Sequence, residues 1–185
     1  WLENTIDWNI SRQIVWGIPI PAKICTSCDS GFVDLENTMS ACSNCKGELR
    51  QDTDTFDTWF SSGLWTFSTL GWPDKNKDLK TFHPTDVLET GYDILFFWVA
   101  RMILMSTYLV GQIPFKTVYL HGMVRDKTGK KFSKSSGNGI DPIELINQFG
   151  ADALRIALVV GVGPGNDSKF DLAKVKAYKN FANKI

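Results

Sequence analysis

Apolar and polar positions alternate between two periods along this chain, and the change of period marks its elements. Residues 1–22 carry Trp8, Ile10, Ile14, Val15 and Trp16 among polar neighbours, which predicts a strand-bearing lead-in. Residues 23–52 lack long apolar runs and hold all four cysteines. From residue 53 onward short β-branched runs alternate with longer helical patterns, the signature of an α/β layer fold. Asp86-Val-Leu-Glu89 and Thr117-Val-Tyr-Leu120 read as strands, with a helix over about Ile94–Val110 between them. Such a βαβ unit sets its two strands parallel. Asp141-Pro-Ile-Glu144 is a strong helix start: a capping carboxylate, Pro at the first helical position and Glu three residues after the cap. Gly150 stops that helix, a second runs from Ala151 to about Val160, and Gly161-Val-Gly-Pro-Gly165 breaks the chain. Asp171 caps a last helix that places Leu172, Val175, Tyr178 and Phe181 on one face.

Composition narrows the picture. The 185 residues include 20 Lys+Arg and 20 Asp+Glu, so formal net charge is zero and no global basic field announces a nucleic-acid partner. With 43% apolar and 12% aromatic residues the chain can bury a sizeable core. No basic start, apolar core and small-residue cleavage site follow one another at the N-terminus, so no secretory signal is visible. The longest apolar run, Ile94 to Val110, contains Arg101, Ser106 and Thr107 and falls short of a comfortable membrane span, which predicts a buried helix and no membrane partner.

Cys25-x-x-Cys28 and Cys42-x-x-Cys45, separated by 13 residues, have the spacing of a four-cysteine zinc ribbon. Each pair closes a tight turn that aims two thiolates at one ion, and Gly31 and Gly47 fit the turns that follow. A closed site of this kind leaves no position for water, so the Zn²⁺ is expected to be structural. Two disulfides or buried free thiols are the alternatives.

The remaining chemistry gathers around Lys131-Phe-Ser-Lys-Ser135. Two lysines three residues apart, among hydroxyls and glycines, suit a polyphosphate; a solvated basic turn is the plain alternative. Gly91-Tyr-Asp93 sits where a strand gives way to a helix, the end of a parallel sheet at which ligands bind, although Asp93 could also serve only as a helix cap. His121-Gly122 ends the next strand and could equally be a structural turn.

The ordered set is more specific than any one motif. Ile10-Ser-Arg-Gln13, Asp57-Thr-Trp-Phe-Ser-Ser62, Thr90-Gly-Tyr-Asp-Ile-Leu-Phe-Phe-Trp98, Val118-Tyr-Leu-His-Gly-Met-Val124, the lysine loop, Gly137-Asn-Gly-Ile-Asp-Pro142 and Tyr178-Lys-Asn-Phe-Ala-Asn-Lys-Ile185 together resemble the valyl-tRNA synthetases, a class I aminoacyl-tRNA synthetase family. The lysine loop is similar to the family's KMSKS signature, with Phe132 where Met is usual and keeping an apolar anchor; Lys179 stands where the family more often has Arg. The other signature, HIGH, has no counterpart, since the only histidines are His83 and His121, and neither does the editing insertion. The expectation is therefore a partial chain, starting at Trp1 without Met, that covers the KMSKS half of the catalytic domain and is inactive alone.

The resemblance implies the second half of a Rossmann-type parallel-sheet catalytic domain with a small zinc-ribbon insertion and C-terminal helices. The boundaries are 1–22 lead-in, 23–52 ribbon, 53–150 catalytic core and 151–185 helical connection toward an anticodon-binding domain. It implies a cytoplasmic valine–tRNA ligase whose substrates are valine, ATP with Mg²⁺, and tRNA(Val), and whose partner is the rest of the synthetase chain. Gly91 and Asp93 would hold the ribose; His121, Gly122, Met123 and Val124 the adenine edge; Ser133, Lys131 and Lys134 the phosphates, with Lys134 the more important lysine. Trp59, Ile94 and Trp98 would form the valine pocket, Ile94 and Trp98 sharing a helix face by their spacing of four, although Trp and Ile are more often core residues. An isoleucyl or leucyl relative, or a non-catalytic zinc-ribbon module that binds RNA or protein, are the rival readings. Gly91-Tyr-Asp-Ile94 weighs against the first, and the few basic residues near the cysteines (Lys23, Lys46, Arg50) weigh against RNA as the ribbon's partner.

Overall fold

The computed structural model describes residues 2–133 and 135–185. After a short 3-10 turn at Leu2–Asn4, five short strands follow: β1 (Ser11–Arg12), β2 (Ala22–Cys25), β3 (Gly31–Val33), β4 (Leu49–Gln51) and β5 (Thr55–Phe56). Three helices come next, α1 (Thr58–Gly63), α2 (Trp65–Ser68) and α3 (Lys77–Phe82). Then come β6 (Thr85–Gly91), α4 (Ala100–Val110), β7 (Phe115–His121), β8 (Val124–Arg125), α5 (Pro142–Phe149), α6 (Ala151–Val159), β9 (Ser168–Lys169) and α7 (Leu172–Ala182). The chain forms two compact units: Trp1–Pro84 with Phe97–Pro114, and Thr85–Phe96 with Phe115–Ile185.

In the first unit β1 and β5 pair antiparallel, and β3-β2-β4 form a separate antiparallel sheet that carries the cysteines. The lead-in is thus mostly irregular, and Val15 and Trp16 are exposed. Phe67, Val99, Met102 and Met105 are buried, with Phe67 edge-on to Trp72 and His83. Gly63 lets α1 approach α4: a Cβ there would lie 3.3 Å from Met105 Cγ and 3.6 Å from the Arg101 carbonyl.

In the second unit β6 and β7 are parallel and in register from Thr85↔Phe115 to Gly91↔His121, as the βαβ pattern predicts. Among the described residues this sheet has two strands, and β8–β9 is a separate parallel pair. The α/β content is present, but the expected second half of a Rossmann-type domain is not displayed, because among the described residues of 53–150 only β6 and β7 are strands longer than two residues. Leu145, Ala153, Leu154, Ala157 and Val175 form the helical core, with Phe149, Phe170 and Tyr178 packed on it. Asp141, Gly150 and Asp171 cap or stop the helices where the sequence places them. On α7 the predicted apolar face is half realised: Val175 is buried, whereas Leu172 and Phe181 are about half exposed.

The helix after β6 is longer and less regular than its sequence pattern. It begins as a 3-10 turn at Tyr92–Ile94, widens into a π-helical turn at Leu95–Val99 and continues as α4. Gly111, at φ 75°, ends it by donating to the Ser106 and Thr107 carbonyls. Counted from Tyr92 the run has 19 residues and contains an 18-residue stretch with a mean hydropathy of 1.6, long and apolar enough by length and composition to cross a membrane. That corrects the shorter span read from the pattern. The burial expectation holds for one face only: Val99, Met102 and Ser106 are buried, while Phe97, Leu104 and Tyr108 are exposed.

Candidate functional site

The cysteine cluster is built by two similar turns. Asp29 N–H donates to Cys25 O and Cys25 N–H to Ser30 O; in parallel, Lys46 N–H donates to Cys42 O and Cys42 N–H to Gly47 O. The left-handed residues are Asp29 (φ 53°) and Lys46 (φ 64°). The positive φ of each turn thus falls on the residue after the second cysteine and not on Gly31 or Gly47. Gly31 lies in β3, and Gly47 is needed for space, since a Cβ would come within 2.6 Å of Ser27 Oγ and 3.2 Å of Cys45 Sγ.

The four sulfurs lie within 4.8 Å of one another, with Cys25–Cys45 at 3.4 Å, Cys28–Cys45 at 3.5 Å and Cys28–Cys42 at 3.6 Å. Zn–S bonds of about 2.3 Å in a tetrahedron require S···S of about 3.8 Å, whereas a disulfide requires about 2.05 Å. The cysteines are free thiols, and their geometry fits a four-coordinate ion. Ser30, through its hydroxyl and backbone, brings the Cys28 thiol down to about 6. Gly47 N–H pulls Cys45 down, but the sulfurs of Cys25, Cys28 and Cys42 outweigh it and push Cys45 up to about 12. One divalent cation would relieve that crowding. Among the described residues 22–51 the only buried side chains are Cys25 and Cys42, so the sheet has no apolar core of its own.

In the second unit the strand register sets Gly91 opposite His121. Gly91 is buried, and a Cβ there would sit 2.8 Å from Asp93 Oδ1 and 3.3 Å from Met123 Sδ. Asp93 does not cap the helix, since the cap position is Gly91 without a side-chain bond. Instead its Oδ2 lies 3.2 Å from Lys131 Nζ. The structure thereby joins two residues from motifs nearly forty positions apart.

His121 Nδ1 is 2.8 Å from the Gly122 carbonyl and Nε2 is 3.4 Å from Glu89 Oε1. A Cβ on Gly122 would collide with the Asn166 carbonyl, so this glycine admits the Gly163–Asp167 loop. Met123 has both backbone groups engaged: its N–H donates to Asp167 Oδ1 at 2.8 Å and its carbonyl accepts from Ser168 at 3.0 Å. Val124 pairs with Ser168 in the β8–β9 ladder. Asp167 Oδ2 also accepts from Tyr92 Oη and Arg125 Nε, and the Met123 N–H followed by Arg125 holds its carboxyl below the usual range.

The lysine loop is anchored as its apolar residue suggests. Phe132 meets Phe170 edge-on at 6.4 Å and lines an apolar recess with Val124, Ile140, Leu145, Leu154 and Leu158. The Lys131 backbone bridges to Arg125. Ser133 and Ser135 hydroxyls are 2.7 Å apart, and Ser133 N–H donates to Asn138 Oδ1. Lys134 lies outside the described residues.

Of the residues assigned to an amino-acid pocket, Trp59 and Trp98 belong to the first unit and Ile94 to the second, all three half-buried. Asp57 caps α1 by accepting from Trp59 N–H, and Trp59 stacks on Phe97 with centroids 6.0 Å apart. Trp98 Nε1 donates to Ser62 O at 3.0 Å. In the sequence Asp57 stands out only as the first residue of Asp57-Thr-Trp-Phe-Ser-Ser62. The structure makes it a buried hub that also accepts from Trp8 Nε1 (2.8 Å) and Arg12 (2.7 Å) and faces Arg101 at 3.6 Å. Asp126, Asn138 and Asp167 were missed as well. The only signals were an Asp opening a Lys-Thr-Gly turn and an Asn between glycines, neither of which names a distant partner.

Known proteins fit this arrangement. Valine–tRNA ligases of Clostridium acetobutylicum and Symbiobacterium thermophilum are each 58% identical over 186 aligned residues, covering all of this chain and 21% and 20% of those proteins. The chain thus spans about a fifth of the relatives it matches. A LeuRS–tRNA–LeuAMS complex from Agrobacterium radiobacter K84 superposes with a TM-score of 0.77 at 25% identity, over 96% of this chain and 27% of that one. Mycobacterium tuberculosis methionyl-tRNA synthetase, at 22% identity over 95% of this chain and 29% of that one, shares the fold with a TM-score of 0.68. The model of the class I tRNA synthetases for I, L, M and V matches residues 1–171, and the chain belongs to that family.

Proposed function

We propose that this chain is the KMSKS-bearing part of the catalytic domain of a cytoplasmic valine–tRNA ligase, which joins valine to ATP as valyl-adenylate and passes the valyl group to tRNA(Val). The carrying observation is the 58% identity to valine–tRNA ligases along the entire chain, together with the meeting of Lys131 and Asp93 at the end of β6. The lower identity to the LeuRS complex favours valine over leucine.

In this reading the valine carboxylate attacks the α-phosphate and pyrophosphate leaves. The nucleophile is already charged, so alignment and charge stabilisation carry the reaction and no general base is required. Asp93 accepts from the ribose hydroxyls beside the bare backbone of Gly91. Occupation of Asp93 by ribose would release Lys131 to the phosphates, where Ser133 and Lys134 are the other protein groups; Mg²⁺ bound by the ATP would supply further neutralisation of phosphate charge. A lysine about 4 Å from a phosphate oxygen at an effective dielectric of about 20 contributes roughly 4 kcal/mol, on the order of a thousandfold in rate. His121, Gly122 and Val124 border the adenine. Met123 contributes through its side chain near Gly91, because its backbone is held by Asp167 and Ser168. Trp59 and Trp98, both of the first unit, supply apolar surface to the valine methyls. Cys25, Cys28, Cys42 and Cys45 hold a structural zinc, which supplies folding energy to the ribbon and takes no part in the reaction.

The test is amino-acid-dependent ATP–pyrophosphate exchange by the full-length protein that contains this segment. Valine should support exchange far better than isoleucine or leucine; Lys134→Ala should lower it by about a thousandfold and Lys131→Ala by less. The segment alone should be silent. Exchange driven by isoleucine or leucine would overturn the reading, and robust exchange by the segment alone would overturn its inactivity in isolation.

A further inference from the structure

We propose that Asn138, braced by Asp126, is a positioning residue for the lysine loop. Its single carboxamide ties the loop's entry to the turn before it and fixes where the cationic segment is presented. The inference rests on reading this loop as the phosphate-binding element of valine activation.

The Asn138 side chain makes three bonds to three separate places. Its Oδ1 accepts from Ser133 N–H at 3.0 Å, and its Nδ2 donates to the Lys131 carbonyl at 3.2 Å and to Asp126 Oδ2 at 2.9 Å. Lys131 and Ser133 flank Phe132, so one amide fixes the backbone on both sides of the apolar anchor. Asp126 is itself immobilised. Its Oδ1 accepts from Thr128 N–H (2.9 Å), Thr128 Oγ1 (2.6 Å) and Lys130 N–H (2.9 Å). The turn is closed by Gly129 N–H to Asp126 O and by Asp126 N–H to Lys130 O, with Gly129 at φ 88°. Because a carboxylate can only accept, the Asn138 amino group must face Asp126 and its oxygen must face Ser133.

The two side chains are specific to each other in a testable way. Asn138→Asp sets a second carboxylate against Asp126 and against the Lys131 carbonyl, leaving no donor at either contact. The exchanged pair, Asp126→Asn with Asn138→Asp, returns one donor to the Asp126–Asn138 contact. The new amide oxygen can still accept from Thr128 and Lys130, and the new carboxylate from Ser133.

The experiment uses the full-length protein and two readouts: valine-dependent ATP–pyrophosphate exchange, and amide hydrogen exchange across residues 131–138. Asn138→Ala should lower kcat by about ten- to a hundredfold, the loss expected when reacting groups are misplaced by about 1 Å. The KM for valine should stay within about twofold, because the valine pocket is elsewhere. Asn138→Asp should lose more, and the exchanged pair should recover at least about tenfold of that loss. The Ser133 amide should exchange faster in Asn138→Ala than in the unmodified protein. Unchanged kcat in Asn138→Ala, an exchanged pair no better than Asn138→Asp, or unchanged Ser133 protection would each overturn the inference. If the unmodified protein shows no valine-dependent exchange, the functional reading fails, and Ser133 protection still decides whether the clamp exists.

Discussion

His83 shows how a single buried side chain is fixed by bond accounting. Its Nδ1 lies 3.2 Å from the Thr66 carbonyl, which can only accept, so Nδ1 carries a proton. Its Nε2 faces Ser106 Oγ at 3.2 Å, and the same hydroxyl is 2.8 Å from the Gln112 carbonyl. Ser106 is fully buried, so replacing it with Ala strands Nε2 of the buried His83. Ser106→Ala should cost about 1–3 kcal/mol, read as a lower midpoint of denaturant unfolding with an unchanged slope. In sequence, Ser106 appears only as a polar blemish in an apolar run, because a hydroxyl's partner depends on what the fold brings opposite. Gly122 illustrates the same limit: the sequence offers it as a structural turn or an adenine-edge glycine, and only the structure shows that its missing side chain admits Asn166.

At the scale of elements, local chemistry was the reliable guide. The α5 start at Asp141-Pro142, the Gly150 stop and the Asp171 cap all form from contacts within four residues, which is why propensity and capping rules find them. The ribbon's turns obey the cysteine spacing, but their left-handed positions fall on Asp29 and Lys46 and not on glycines. The loop after β3 depends on one carboxylate: Asp34 accepts from Thr38 N–H, Met39 N–H and Lys23 Nζ. The Lys23 contact leads in bringing the Asp34 carboxyl from 3.8 down to about 2. A depressed carboxyl contributes stability that is complete above its unfolded pKa and lost as pH falls through the folded one. The Thr38 and Met39 amide resonances should therefore hold steady down to about pH 4 and move with a midpoint near pH 2. Asp34→Asn should abolish that transition; persistence of the transition in the variant would assign it to another group.

On the scale of the whole molecule, the two units and the ribbon within the first differ in what holds them. The second unit has an apolar core around Leu154 and Val175, whereas the ribbon buries little besides two thiols. Metal binding would supply on the order of 10 kcal/mol to such a module. Chelation should therefore speed hydrogen exchange through β2, β3 and β4 while leaving the β6–β7 pair protected, and Zn²⁺ should reverse the change. Equal protection of the ribbon with and without chelator would show that it folds without metal. The sequence by itself determined the helices α4 to α7, the parallel β6–β7 pair, the cysteine quartet and the family, because capping, period and motif spacing are properties of neighbouring residues. Only the tertiary structure decided that Asp93 holds Lys131, that Asp167 ties Met123 to Tyr92 and Arg125, and that Asn138 clamps the lysine loop through Asp126. Those bonds join residues 5 to 75 positions apart. Their partners are set by where the backbone carries each side chain, and no local pattern encodes that.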